Sequence, residues 1–210
     1  MQLSDRNTEK MHKILDAATD IFLSHGFSAS TTDMIQKKAG ISKATLYACF
    51  ANKETLFEAV IERKCSQMHQ FVSSVDATSH SIEETLQAMG MIYLRFILSA
   101  EGLAVYRVCI SEATRFPALS HMFYLAGPLK MAKVVMQYLE YAAEQKQINL
   151  QRHGLEASAH IFLSLMRGDI HVEYLTHPDA QASEALIEKR VKTAVQLFLN
   201  SIADTTNHGQ

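Results

Sequence analysis

Thr31 to Lys53 reads TTDMIQKKAGISKATLYACFANK. Two short apolar-periodic segments, Thr32–Ala39 and Lys43–Phe50, flank the tripeptide Gly40-Ile41-Ser42. This is the layout of a helix-turn-helix corner. At about 100° per residue, Lys43, Ala44, Tyr47 and Ala48 fall on one side of the second segment, and Leu46, Cys49 and Phe50 on the other. The apolar side is expected to pack on Ile21, Phe22 and Ile35. The outward side pairs two small residues with a cation and a phenol. Small side chains let a helix sink into a major groove, while Lys43 and Tyr47 reach phosphates or base edges. Thr31 and Thr32 suit the cap before the first segment. With Ser42 and Lys53 they sit near helix N-termini, where backbone N–H groups and the helix dipole favour a phosphate.

Helical periodicity extends outward in both directions. Met11, Ile14, Leu15, Ala18, Ile21 and Phe22 form one stripe, with Gly26 as its stop. Asn52 caps a helix through Leu56, Phe57, Val60 and Ile61, continuing beyond Cys65. Residues 76–80 mark a break, and Ser81 with Glu84 forms a capping box for a helix through Leu86, Met89, Tyr93, Phe96 and Ile97. Further helices are predicted at roughly 101–115, 117–126, 128–147, 155–176 and 183–203, with Pro117 and Pro128 in first turns and Pro178 in a loop. Strand-like alternation is missing. The prediction is an all-α chain of about nine or ten helices. A three-helix amino-terminal helix-turn-helix domain, 1–52, precedes a larger helical domain, 53–210, entered by a connecting helix from about 53 to 75.

Composition bounds the function. The 210 residues are 48% apolar and 20% charged with three prolines and eight glycines, a globular balance. The net charge is −2, yet Met34 to Lys53 holds Lys37, Lys38, Lys43 and Lys53 and no acid, a local basic surface. Cys49, Cys65 and Cys109 have no CxxC spacing, which argues against a disulfide framework or a zinc knuckle, and Cys49 falls on the packed side of its helix. His160 and His171 share a face by spacing but lack a third ligand, so no metal is expected. No secretory signal and no membrane-length apolar run is read, so the expectation is a cytoplasmic protein without a membrane partner. No catalytic motif such as GxSxG, HExxH or a phosphate-cradling glycine loop occurs, and neither an enzyme nor a cofactor is predicted.

Ile14 to Lys64, ILDAATDIFLSHGFSASTTDMIQKKAGISKATLYACFANKETLFEAVIERK, resembles the amino-terminal signature of the TetR/AcrR family of bacterial transcriptional regulators, in order and without gaps. The resemblance implies Thr32, Tyr47 and Lys53 on phosphates, and Lys43, Ala44, Thr45 and Ala48 at or near bases. Two departures stand out. Asp33 occupies a position where many relatives carry arginine or another groove-reaching residue, and an acid there is repelled unless it meets a cytosine amino group. Ala48-Cys49 replaces a commoner aromatic or histidine pair. Glu101 to Pro128 is similar to the carboxy-terminal domain of AefR-like members.

A helix-turn-helix reader pairs across a two-fold axis, with recognition helices about 34 Å apart on a pseudo-palindromic operator. Homodimerisation is assigned to the last two long helices through Ile161, Leu165, Gly168 and Val172, and through Val191, Val195, Phe198, Leu199 and Ile202. Tyr93, Phe96, Tyr106, Cys109, Met122, Phe123, Met136, Phe162 and Met166 are candidates for an apolar effector chamber, with Arg107 or Arg167 as an anchor for an acidic group. The functional expectation is a sequence-specific repressor released from double-stranded DNA by a small apolar or amphipathic ligand. An activator, an effector-independent DNA-binding protein, and a helical carrier or enzyme are the alternatives.

Overall fold

The computed structural model describes residues 2–202, with side chains from residue 8. The last position of the helix expected over 183–203 lies outside the described residues. Among those described there are ten α-helices and no strand: α1 Gln2–Ala29, α2 Thr32–Ala39, α3 Lys43–Cys49, α4 Lys53–Ser73, α5 Ile82–Ile97, α6 Ala100–Ser111, α7 Pro117–Tyr124, α8 Lys130–Glu144, α9 Leu155–Thr176 and α10 Glu184–Ile202. No single helix among them is long and apolar enough to cross a membrane.

The chain divides into two units, and the division differs from the boundary expected at 52/53. Among the described residues, the first unit runs to Ser66 and takes in Ala104–Gly127; the second holds Gln67–Leu103 and 128–202. The physical reason is a shared core. Val105, Val108, Cys109, Leu119 and Phe123 bury themselves in the same cluster as Ile14, Phe22, Ile35, Leu46 and Leu56. The helix-turn-helix therefore borrows part of its core from α6 and α7.

In the first unit, Phe22, Phe27 and Phe57 form an aromatic triangle with centroids 5.0–5.8 Å apart. Full burial of each ring is worth about 1.5–3 kcal/mol. α1 breaks where expected, at Gly26 (φ 76°), and a short helical remnant continues to Ala29. Arg63 on α4 reaches back to Asp16 at 2.8 Å and to the Thr19 hydroxyl at 3.0 Å, pinning α1. Pro128 does not open a separate helix. It sits inside a five-residue π turn, Leu125–Leu129, which runs directly into α8. Proline lacks an N–H, and the wider turn accommodates it without ending the chain's helical path.

In the second unit, the capping box of α5 forms as expected from Ser81 and Glu84. α10 packs on α5 and α9, and α9 on α8. Gly90 on α5 brings that helix close to its neighbours: a Cβ there would stand 3.0 Å from both Met166 and Val191. Tyr138 donates its hydroxyl to the carbonyls of Val72 (3.2 Å) and Val75 (2.8 Å) at the end of α4.

This packing corrects the dimer assignment. Val191, Val195, Phe198 and Ile202 are 0–4% exposed and belong to the chain's own core, so none is available to a second copy. Gly168 is likewise occupied. α9 is non-helical there (φ 38°), and the Arg190 guanidinium fills the space a side chain would need. Ile161, Leu165 and Leu199 are half-buried and Val172 is exposed, as are Leu186 and Leu197 on α10. The break at Gly168 also separates His160, exposed, from His171, buried, so the three-turn spacing no longer gives them one face.

Candidate nucleic-acid interface

α2 begins at Thr31, whose extended backbone lets its hydroxyl accept from the Met34 N–H at 3.2 Å. It ends at Gly40, in the left-handed conformation (φ 65°, ψ 36°) that glycine adopts without a Cβ clash. The chain thus reverses in three residues. α3 then opens on Ser42, whose hydroxyl accepts from the Thr45 N–H at 3.1 Å and lies 2.8 Å from the Thr45 hydroxyl.

α3 is held from beneath by one fully buried residue, Leu46 (1% exposed), with Cys49 and Phe50 half-buried against the same core. The opposite face is open: Lys43, Ala44, Tyr47 and Ala48 are all exposed. Cys49 is thus a packed small side chain, as its helical phase predicted. Thr32 and Tyr47 meet across the corner, hydroxyl to hydroxyl at 3.3 Å, so two of the expected phosphate contacts form one polar group. Thr31, Ser42 and Thr45 are committed to caps, while Thr32 and Tyr47 keep further hydrogen-bonding capacity.

Charge is arranged less simply than the sequence implies. Lys43 donates to Asp33 at 2.9 Å, and that hydrogen bond and the Asp33 charge hold its ammonium above the usual lysine range. The acid expected to repel phosphate is therefore neutralised by its neighbour. Lys38 pairs with Asp20 at 2.8 Å. Lys53 also makes contacts within the fold. Its ammonium turns inward, donating to the carbonyls of Phe27 (2.9 Å) and Ser30 (3.0 Å) and lying 4.3 Å from the Phe27 ring centroid. These carbonyls lie at and just beyond the end of α1, where the cation adds to the Ser30 N–H that Phe27 already accepts at 3.3 Å.

One residue outside the helix-turn-helix is structural for the site. Glu112, just after α6, accepts from the Ser28 backbone N–H at 2.7 Å and the Ser28 hydroxyl at 2.6 Å. Burial pushes its carboxyl up, but these two bonds, with Arg115 and Lys53 nearby, leave it below the usual range. It ties the α1–α2 corner to the end of α6. Nothing local in the sequence signals a contact between residues so far apart in the chain.

Residues 14–60 match the family model for bacterial regulatory proteins of the tetR family, and residues 84–201, more than half the chain, match that for the AefR-like transcriptional repressor C-terminal domain. The chain belongs to the TetR family. It is similar to the regulator SrpR of Pseudomonas putida, 26% identical over 175 residues that cover 83% of this chain and 79% of SrpR. A TetR-family regulator from Mesorhizobium loti shares the fold at a TM-score of 0.87 and 25% identity, over 95% of this chain and 99% of its own. The flavonoid-responsive regulator FrrA gives a TM-score of 0.78 at 30% identity, over 95% and 100% of the two chains. These relatives are regulators rather than enzymes, and TetR membership makes this chain a DNA-binding transcriptional regulator.

The candidate effector-chamber residues are divided between the two units. Tyr106, Arg107, Cys109, Met122 and Phe123 lie in the first unit, where Tyr106 and Phe123 stack edge to face at 4.9 Å. Burial pushes the Cys109 thiol up to about 12. Tyr93, Phe96, Met136, Phe162, Met166 and Arg167 lie in the second unit. Two open clefts of that unit, about 1070 and 260 Å³, are lined by other residues, among them Ile82, Lys146 and Ile148 in the larger and Tyr138 and Tyr141 in the smaller. Among the described residues no group of three or more His, Cys, Asp or Glu is placed to hold a metal ion.

Proposed function

We propose that this TetR-family regulator is a homodimeric repressor that holds a pseudo-palindromic operator and leaves it when a small apolar or amphipathic molecule binds the second unit. The observation that carries the DNA half of this reading is the exposed strip Lys43, Ala44, Tyr47 and Ala48 with only Leu46 anchored beneath it. Two alanines give a slim ridge, which favours close approach of backbone to base edges, and Thr32 with Tyr47 supplies hydroxyls at the flank for phosphate. α3 is accordingly the recognition helix.

Dimerisation is proposed through the outer side of α9 and α10, where Val172 is 60% and Leu197 53% exposed, Leu186 is exposed, and Ile161 and Leu165 are half-buried. Exposed apolar side chains on two neighbouring helices are what an isologous interface uses. The effector is proposed to lodge among Tyr93, Phe96, Met136, Phe162 and Met166, with Arg167 available to an acidic group. FrrA, a flavonoid-responsive regulator 30% identical to this chain, supports a planar, weakly polar ligand. α4 is continuous from the head into the second unit, so ligand binding that shifts its tilt changes the separation of the two reading helices.

Fluorescence anisotropy tests the proposal. A duplex from upstream of the protein's own gene is expected to bind at least about a thousandfold more tightly than a shuffled duplex. Adding members of a flavonoid panel then identifies compounds that raise the apparent Kd. Equal affinity for both duplexes contradicts the repressor reading.

A further inference from the structure

The ion pair between Asp33 and Lys43 lies on the face that α3 presents. Its two side chains are 64% and 56% exposed, and the Lys43 ammonium stands 2.9 Å from one oxygen of the Asp33 carboxylate. A pair so exposed adds little to folding. An acid on a surface that meets a polyanion also weakens general attraction to phosphate. The pair thus contributes little to stability and opposes non-specific binding, while it sets a donor and an acceptor side by side on the exposed face.

Within a base pair, the exocyclic donor of one base and the acceptor of its partner are hydrogen-bonded to each other, so they stand about 2.9 Å apart. A side-chain donor and acceptor at the same separation can therefore lie along that edge, donor to acceptor and acceptor to donor. In the major groove, guanine offers O6 and N7 as adjacent acceptors, and its cytosine offers the N4 amino donor. A lysine ammonium has three N–H groups, enough to serve Asp33 and both guanine atoms. An A·T pair fits less well. Its two acceptors, adenine N7 and thymine O4, lie on opposite sides of the N6 amino group, and the thymine methyl crowds O4.

We propose that Asp33 and Lys43 act as a single reader of one G·C pair in each operator half-site. Lys43 donates to guanine O6 and N7, and Asp33 accepts from the N4 amino group of the paired cytosine. Asp33 is the specificity-determining member, because it adds discrimination and removes phosphate attraction at once. This inference rests on the reading that α3 enters the duplex groove.

Selection from a randomised duplex library, with the full-length wild type, Asp33→Ala and Asp33→Asn in parallel, tests it. The wild type is expected to enrich a motif with a G·C pair at one position of each half-site. Asp33→Ala is expected to enrich the same motif with the preference at that position reduced about tenfold or more. The same variant frees Lys43 for phosphate, so the slope of log affinity against log salt concentration steepens by about 0.9 per half-site. Asp33→Asn, whose amide suits adenine N6 and N7, is expected to shift that position towards A·T. If both variants keep the wild-type motif at every position, the proposal is overturned while the DNA-binding reading stands. A wild type that enriches no motif overturns both.

Discussion

α3 and α10 are both amphipathic in sequence, and the structure uses their two faces in opposite ways. α3 buries Leu46 alone and leaves Lys43, Ala44, Tyr47 and Ala48 open. α10 buries Ile187, Val191, Ala194, Val195, Phe198 and Ile202 in its own unit and leaves Leu186 and Leu197 outside. The comparison teaches that apolar periodicity identifies which face is buried but not what buries it. The face that does the work is the one left over: small and polar on α3, and a few isolated apolar side chains on α10.

The strongest way to break that contrast is Phe198→Ala. Phe198 is fully buried and stacks on Phe162 at 5.4 Å. Its loss is expected to cost about 3–5 kcal/mol in chemical denaturation at every protein concentration. A cost that vanished on dilution would return α10's stripe to the dimer interface.

The next largest effect is acid sensitivity of the second unit. Burial, then the Arg167 charge, pushes His171 down to about 4 from an ordinary value of 6.5. The unfolded chain therefore takes up the proton first. The stability this neutral histidine contributes is complete above pH 6.5 and is lost as pH falls towards 4, by up to about 3 kcal/mol. Denaturation midpoints at pH 7.5 and pH 5 check this, and His171→Gln is expected to flatten the difference.

Leu197→Glu sharpens the other side of the comparison. It is expected to weaken self-association roughly thirtyfold or more in sedimentation experiments while leaving the helical circular dichroism unchanged. In the first unit, Glu112→Ala removes two hydrogen bonds to Ser28 and is expected to destabilise by about 1–2 kcal/mol. That contribution is present above the ordinary carboxylate value of 4.5 and fades as pH falls through the lower folded value, so the variant's deficit shrinks in acid. The smallest effect is a gain. Lys146 ends α8 at φ 58°, a conformation costly for a residue with a Cβ, and Lys146→Gly is expected to add about 0.5–1 kcal/mol. Thermal melting reads both.

Much of the head is legible in the sequence because its signals are local. Gly40, the caps at Thr31, Ser42 and Asn52, and the helical phase that turns Leu46 inward each act within a turn or two. What local sequence does not reveal is non-local contact. Lys53 looks like a solvated or phosphate-binding lysine until the carbonyls of Phe27 and Ser30 are brought beneath it. Gly168 looks like a seat for a partner helix until Arg190 from the neighbouring helix fills it. The aromatic and methionine-rich set of residues 93–167 is apolar in either unit, so composition alone could not divide it between two cores.

The open face of α3 is proposed to engage duplex DNA. Ala44→Glu places a bulky negative charge on that face without touching the core beneath, and its thermal melting curve is expected to match the wild type. In anisotropy titrations against a duplex from upstream of the gene, the account predicts at least about a hundredfold loss of affinity. Unchanged affinity in this folded variant would contradict it.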